Sequence, residues 1–199
     1  IVSSTIKTVR FTSADLSDDS SLSISRENKN LNVLASENES PSIHITDHIS
    51  ITPNSKPTLS NTVIEKYLNI NDDSSLTMDS NSKFTEISIL RITIKETTNI
   101  DEKKKPIVYG KNSLNSIPSE IILTLPQTDN IEIHNLSLIG SESFDSCSQL
   151  PTKVKIENGR QISYSTSCKK QGQIMSLCLN IPAEIIKPDD GVDDSNPGQ

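Results

Sequence analysis

IILTL (121–125), IEIHNLSLI (131–139), TKVKI (152–156), RQISYSTSC (160–168) and QIMSLCLNI (173–181) form the densest apolar alternation in the chain, and their reading decides the fold. Apolar residues recur there at every second position, the spacing of a half-buried strand, and the five segments read as a meander. The turn Glu157-Asn158-Gly159 links the third to the fourth. A two-residue Asn158-Gly159 loop would pair Ile156 with Gln161 and Val154 with Ser163, mixing apolar and polar residues on each face. A three-residue loop with Gly159 in a left-handed bulge pairs Val154 with Ile162 and Thr152 with Tyr164, and Val154, Ile156, Ile162 and Tyr164 then share one face. Slipping one residue would turn that set toward water, so the bulged hairpin is expected.

Working outward, SIHITDHISIT (42–52) places Ile43, Ile45, Ile49 and Ile51 on odd positions, a strand that ends before Pro53. TIKTVRFT (5–12) reads as another strand, followed by the polar turn SADLSDDSS. Residues 21–35 read as two short strands about a polar connection. PNSKPTLS (53–60) reads as a loop. Thr62 followed three residues later by Glu65 has the form of a capping box, which predicts one short helix near residues 62–68. KFTEISILRITIKETT (83–98) changes apolar parity near Leu90, and IEIHNLSLI changes phase around Asn135; either a bulge or two covered faces would produce this. The expected fold is all-β: an antiparallel sandwich of two packed sheets of short strands. One domain over 1–187, with a candidate subdivision near 53–62, and a flexible tail over 188–199 complete the expected layout. Asp18-Asp19-Ser20-Ser21-Leu22 recurs as Asp72-Asp73-Ser74-Ser75-Leu76, but little else aligns at that spacing, and chance accounts for it in a chain rich in Asp and Ser.

Composition bounds function. Among 199 residues only 32% are apolar and 3% aromatic, Trp is absent, and the formal net charge is −7. A pI near 5.0 argues against nucleic acid, whose binding depends on neutralising phosphates. Lys103, Lys104 and Lys105 are the only basic run and read as a solvated turn. No apolar run approaches the roughly 18–20 residues that span a bilayer, so a soluble chain without a transmembrane segment is expected. Beginning at Ile1, it reads as a processed product or a fragment.

Cys147, Cys168 and Cys178 lack the spacing of a zinc knuckle. They read as one disulfide and one leftover thiol in an exported protein, against three idle thiols in a reducing compartment. Parity places Cys168 on the core face and Cys178 on the polar face, while Cys147 sits in an irregular connection, so a Cys147–Cys168 pair is expected. His44 and His48 fall on the solvent face of a strand, roughly 13 Å apart at about 3.3 Å per residue, too far to share a metal. His134 reads as a surface residue. Calcium is the most reasonable cofactor to consider, with Asp15, Asp18, Asp19, Asp72, Asp73 and the acids of the tail as candidates, yet none follows a calcium-loop pattern and solvated acidic turns explain them. Asn38 and Asn135 match the glycosylation sequon by composition alone. No nucleophile elbow or phosphate-cradling glycine loop occurs. The expected function is therefore non-enzymatic and without catalytic, cofactor or metal residues. It is that of an exported surface, periplasmic or filament subunit, or of an assembly component, acting through protein contacts, with self-association as one form of these. The alternative is a secreted module or effector that captures a host protein or glycan.

Overall fold

A computed structural model of the chain describes residues 8–22, 42–79, 81–95, 105–111, 114, 116–128, 130–157 and 161–183. Its strands are β1 (Thr8–Leu16), β2 (Ser21–Leu22), β3 (Ser42–Ile51), β4 (Thr58–Ser60), β5 (Thr62–Ile64), β6 (Tyr67–Asn71), β7 (Leu76–Asp79), β8 (Lys83–Phe84), β9 (Ile89–Thr93), β10 (Val108–Gly110), β11 (Glu120–Thr124), β12 (Ile133–Ser141), β13 (Val154–Ile156), β14 (Ser165–Gln171) and β15 (Ile174–Ile181). A 3-10 turn occupies Cys147–Gln149.

The chain winds as a two-sheeted parallel solenoid. Successive strands alternate between sheets, each lying in register beside the strand one coil earlier. In the first sheet, β1, β3, the β5/β6 pair, the β8/β9 pair, β11 and β13 follow one another, all parallel. In the second, β2, β4, β7, β10 and β12 are parallel; β15 then adds antiparallel to β12, and β14 antiparallel to β15. The sheets are thus mostly parallel, which overturns the antiparallel sandwich. The period-two alternation does not distinguish the two, because any strand with one covered face alternates.

Between the sheets the inward side chains stack in columns. Ile49, Leu68, Leu90, Ile121 and Val154 form one; Ile70, Ile92, Leu123 and Ile156 a second; Ile45, Ile64 and Phe84 a third. From the second sheet come Leu76, Val108, Ile139 and Leu177, and one hydrophobic cluster runs from Leu16 to Ile181. The column Leu22, Leu59, Met78 narrows at Gly110, where an added Cβ would stand 2.3 Å from Leu114 Cβ; glycine is required because Leu114 fills that space.

The corners of the coils draw on Ser, Thr and Asn. Asp18, Asn54, Asn61 and Asn81 turn the chain with φ between 50° and 64°, a region these side chains tolerate better than others do. Buried hydroxyls satisfy the corner backbone. The amide of Ser55 donates to Ser74 Oγ one coil later, 19 residues on, and Ser74 Oγ donates to the Thr52 carbonyl at 2.8 Å. Ser82 Oγ accepts from the Thr62 amide and donates to the Leu59 carbonyl. Ser88, fully buried, donates to the Ile64 carbonyl at 2.6 Å and accepts from the Thr85 amide at 2.7 Å. Replacing Ser88 with alanine leaves both groups without that partner and is expected to cost about 1–3 kcal/mol, measured as a lowered midpoint in urea.

The helix expected near 62–68 is replaced by β5 and the start of β6. Thr62 does not cap: its amide is taken by Ser82 and its Oγ1 donates to the Ser60 carbonyl. Glu65 instead reaches His44 and Arg10 across neighbouring coils. The parity change near Leu90 is a corner, with the Ser88 amide donating to the Thr85 carbonyl before β9 begins, and Ile87 is left 68% exposed. The change at Asn135 is a bulge: the β12–β15 register shifts between Ile133 and Leu136, Asn135 takes φ 50°, and its amide donates to Asn180 Oδ1. The expected 152–156/160–164 hairpin is not formed, because β13 joins the first sheet and β14 the second. Tyr164 only reaches back to donate to the Val154 carbonyl, and Asn158 and Gly159 lie outside the described residues. The hairpin that does occur is β14–β15, closed by Gly172 at φ 61° and Gln173. Residues 188–199 and Asn38 also lie outside the described residues.

Candidate functional site

Two surfaces gather polar side chains from different coils. The first is the outer face of the parallel sheet. Register stacks His48, Tyr67, Ile89 and Glu120 in one outward column and Ser50, Asn69, Arg91, Ile122 and Lys155 in the next. The Arg91 guanidinium lies 3.9 Å from the Tyr67 ring centroid, and Lys66 Nζ lies 5.1 Å from it. Around this pair, Lys66 approaches Asp47 at 3.9 Å and His48 Nδ1 lies 2.8 Å from Asp47 Oδ2. The hydrogen bond from His48, aided by the charges of Lys66 and Arg91, holds the Asp47 carboxyl below its usual range. Farther along, Glu65 Oε1 receives both His44 Nδ1 at 2.8 Å and Arg10 at 3.2 Å.

His44 and His48 therefore do lie on the outward face, each with its own carboxylate. His134 pairs with Glu132 beside the Asn135 bulge. Among the described residues no group of three His, Cys, Asp or Glu is placed to hold a metal. The acidic candidates are spread apart. Asp15 faces outward on β1 beside Ser50, and Asp18 turns a corner. Asp72 is buried and accepts from the Lys95 amide at 3.1 Å, whereas Asp73 meets Lys95 Nζ at 3.9 Å. Asp19 is exposed.

The second surface is a groove of about 630 Å³ beside the second sheet, lined by Lys56, Asp73, Ser75, Thr77, Lys105 and Ile107, with the buried Ser74 beneath. Lys56 and Lys105 come from different coils and present two cations over Ser and Thr hydroxyls. Lys105 Nζ stands 5.4 Å from the Tyr109 ring, whose hydroxyl donates to Glu142 at 2.7 Å. Burial, reinforced by that carboxylate, pushes the Tyr109 phenol up to about 12, so it remains a neutral donor. Neither the groove nor the Arg91–Tyr67 pair has a local signature. Both arise only when coil register is known.

Cys147 and Cys168 form a disulfide across 21 residues, tying the 3-10 turn after β12 to β14. Cys178 points away from the core, as the alternation with Leu177 and Leu179 requires, yet it is buried rather than solvated. Burial pushes its thiol up, against a smaller opposing effect of the Lys169 charge. No helix among the described residues is long and apolar enough to cross a membrane. No protein-family model, curated protein or solved structure matches this chain.

Proposed function

We propose that the chain is an exported, non-enzymatic interaction protein, a surface or assembly component that works through the outer face of its parallel sheet. The observation that supports this most is the Arg91–Tyr67 stack at the middle of a face built on rigid, in-register strands. Tyr and Arg are the residue types that dominate protein interfaces. Here they are ringed by Asp47, His48, Lys66 and Asn69, the arrangement of an anchoring centre within a polar rim. The disulfide suits an oxidising compartment. A second reading, capture of an acidic glycan or peptide, is favoured by the Lys56–Lys105 groove.

One experiment separates them: a photo-crosslinking side chain placed at Asn69 on the sheet face, or at Thr77 in the groove, in the protein's native setting. A discrete protein adduct at 69, lost on Tyr67→Ala or Arg91→Ala, is the expected result. Adducts at 77 alone would select the capture reading, and none at 69 would overturn the first.

A further inference from the structure

Strand β1 is chemically palindromic, and we propose that it pairs antiparallel with β1 of a second copy about a twofold axis. Among the described residues β1, nine residues long, is hydrogen-bonded to β3 alone, and none of them pairs with its other edge. Its register against β3 shifts by one residue between Phe11 and Ser13. Before the shift Val9 and Phe11 stand beside the inward Ile43 and Ile45; after it Ala14 and Leu16 stand beside the inward Ile49 and Ile51. Arg10 and Asp15 consequently share the outward face, beside His44 and Ser50. In an unshifted strand, residues five apart would face opposite sides.

This irregularity is what makes the edge self-complementary. A perpendicular twofold between Thr12 and Ser13 sets Val9 against Leu16 of the second copy, Phe11 against Ala14, Arg10 against Asp15 and Thr12 against Ser13. Apolar meets apolar on the inner face and cation meets anion on the outer, twice each, as cross-strand pairing favours. Phe11, inward-facing yet 46% exposed, is the large apolar side chain such a partner would cover. The Arg10 side chain is 63% exposed and meets Glu65 through one nitrogen, which leaves further donors of the guanidinium for Asp15 of the second copy. A contact using the same patch on both copies closes at two and does not propagate.

The proposal deepens the assembly reading by naming one partner and one edge, and it is tested by mass rather than by crosslinking at Asn69, so either can fail alone. Light scattering across a concentration series should give twice the 21.8 kDa monomer mass. Arg10→Asp, carried in a Glu65→Gln background to spare it a neighbouring carboxylate, and Asp15→Arg should each be monomeric, because each sets like charges opposite one another. Mixing the two monomeric variants should restore the dimer mass, since one strand then offers carboxylates at both positions and the other offers guanidinium groups at both. The charge-swapped chain carrying both substitutions in the same background should dimerise by itself. A wild-type chain that stays monomeric throughout overturns the proposal. So does a dimer that survives both single substitutions, or single variants that stay monomeric when mixed.

Discussion

Replacing Leu68 with alanine is expected to lower stability by about 2–5 kcal/mol, with a drop in melting temperature of roughly 6–12 °C if the loss is near 3 kcal/mol. Leu68 is fully buried in the middle of the column that links Ile49, Leu90 and Ile121, so the cavity would open between two coils and loosen both interfaces. In a stacked architecture stability is close to a sum of coil and neighbour-interface contributions, and an inner coil contributes two interfaces. The same truncation at Val154, half-buried on β13 at the sheet edge, should cost much less. Urea titrations of both variants check the contrast; equal losses would argue that the coils do not act as stacked units.

Removing the Cys147–Cys168 bond, by reduction or by paired Cys→Ser substitution, is expected to cost about 3 kcal/mol for a closed loop of this size. The effect should be read as a reductant-dependent shift of the unfolding midpoint. Cys178→Ser should leave that dependence intact, because the remaining thiol lies across the sheet from the bond and burial keeps it protonated, hence a poor nucleophile for exchange. A reductant effect that vanishes in Cys178→Ser would contradict the pairing.

The strand character of the chain was legible in its isoleucines. Ile43, Ile45, Ile49 and Ile51 are buried as their parity demands, and the phase change at Asn135 is a bulge. Strand direction was not legible, because it depends on which strand lies beside which. The recurrence that encodes it is carried by residue class: Ile45 and Ile64, Ile49 and Leu68, Ser55 and Ser74, Leu59 and Met78, each one coil of 19 residues apart. Later coils carry longer corners, so Gly110 and Ser141 are 31 residues apart and the period dissolves. The conspicuous identity of residues 18–22 with 72–76 misleads, since Leu22 stacks with Leu59 and Met78 while Leu76 heads a different column. Thr62 and Glu65 satisfied a local helix rule, but in a three-residue segment flanked by β3 and β8 the ladder outweighs it. The candidate surfaces were hidden for the same reason. Lys56 and Lys105, or Tyr67 and Arg91, are unrelated in sequence and become neighbours only through stacking.

Because the strands lie side by side along the stacking direction, their hydrogen bonds all point along it. Tension applied from β1 toward β13 is thus borne in series, every rung carrying the full load, and the weakest one yields first. Pulling across the stack would instead shear many bonds together. The covalent tie at β14 shelters the closing hairpin from the former geometry, so the molecule is mechanically anisotropic: compliant along its long stack, stiff across it, and armoured at one end.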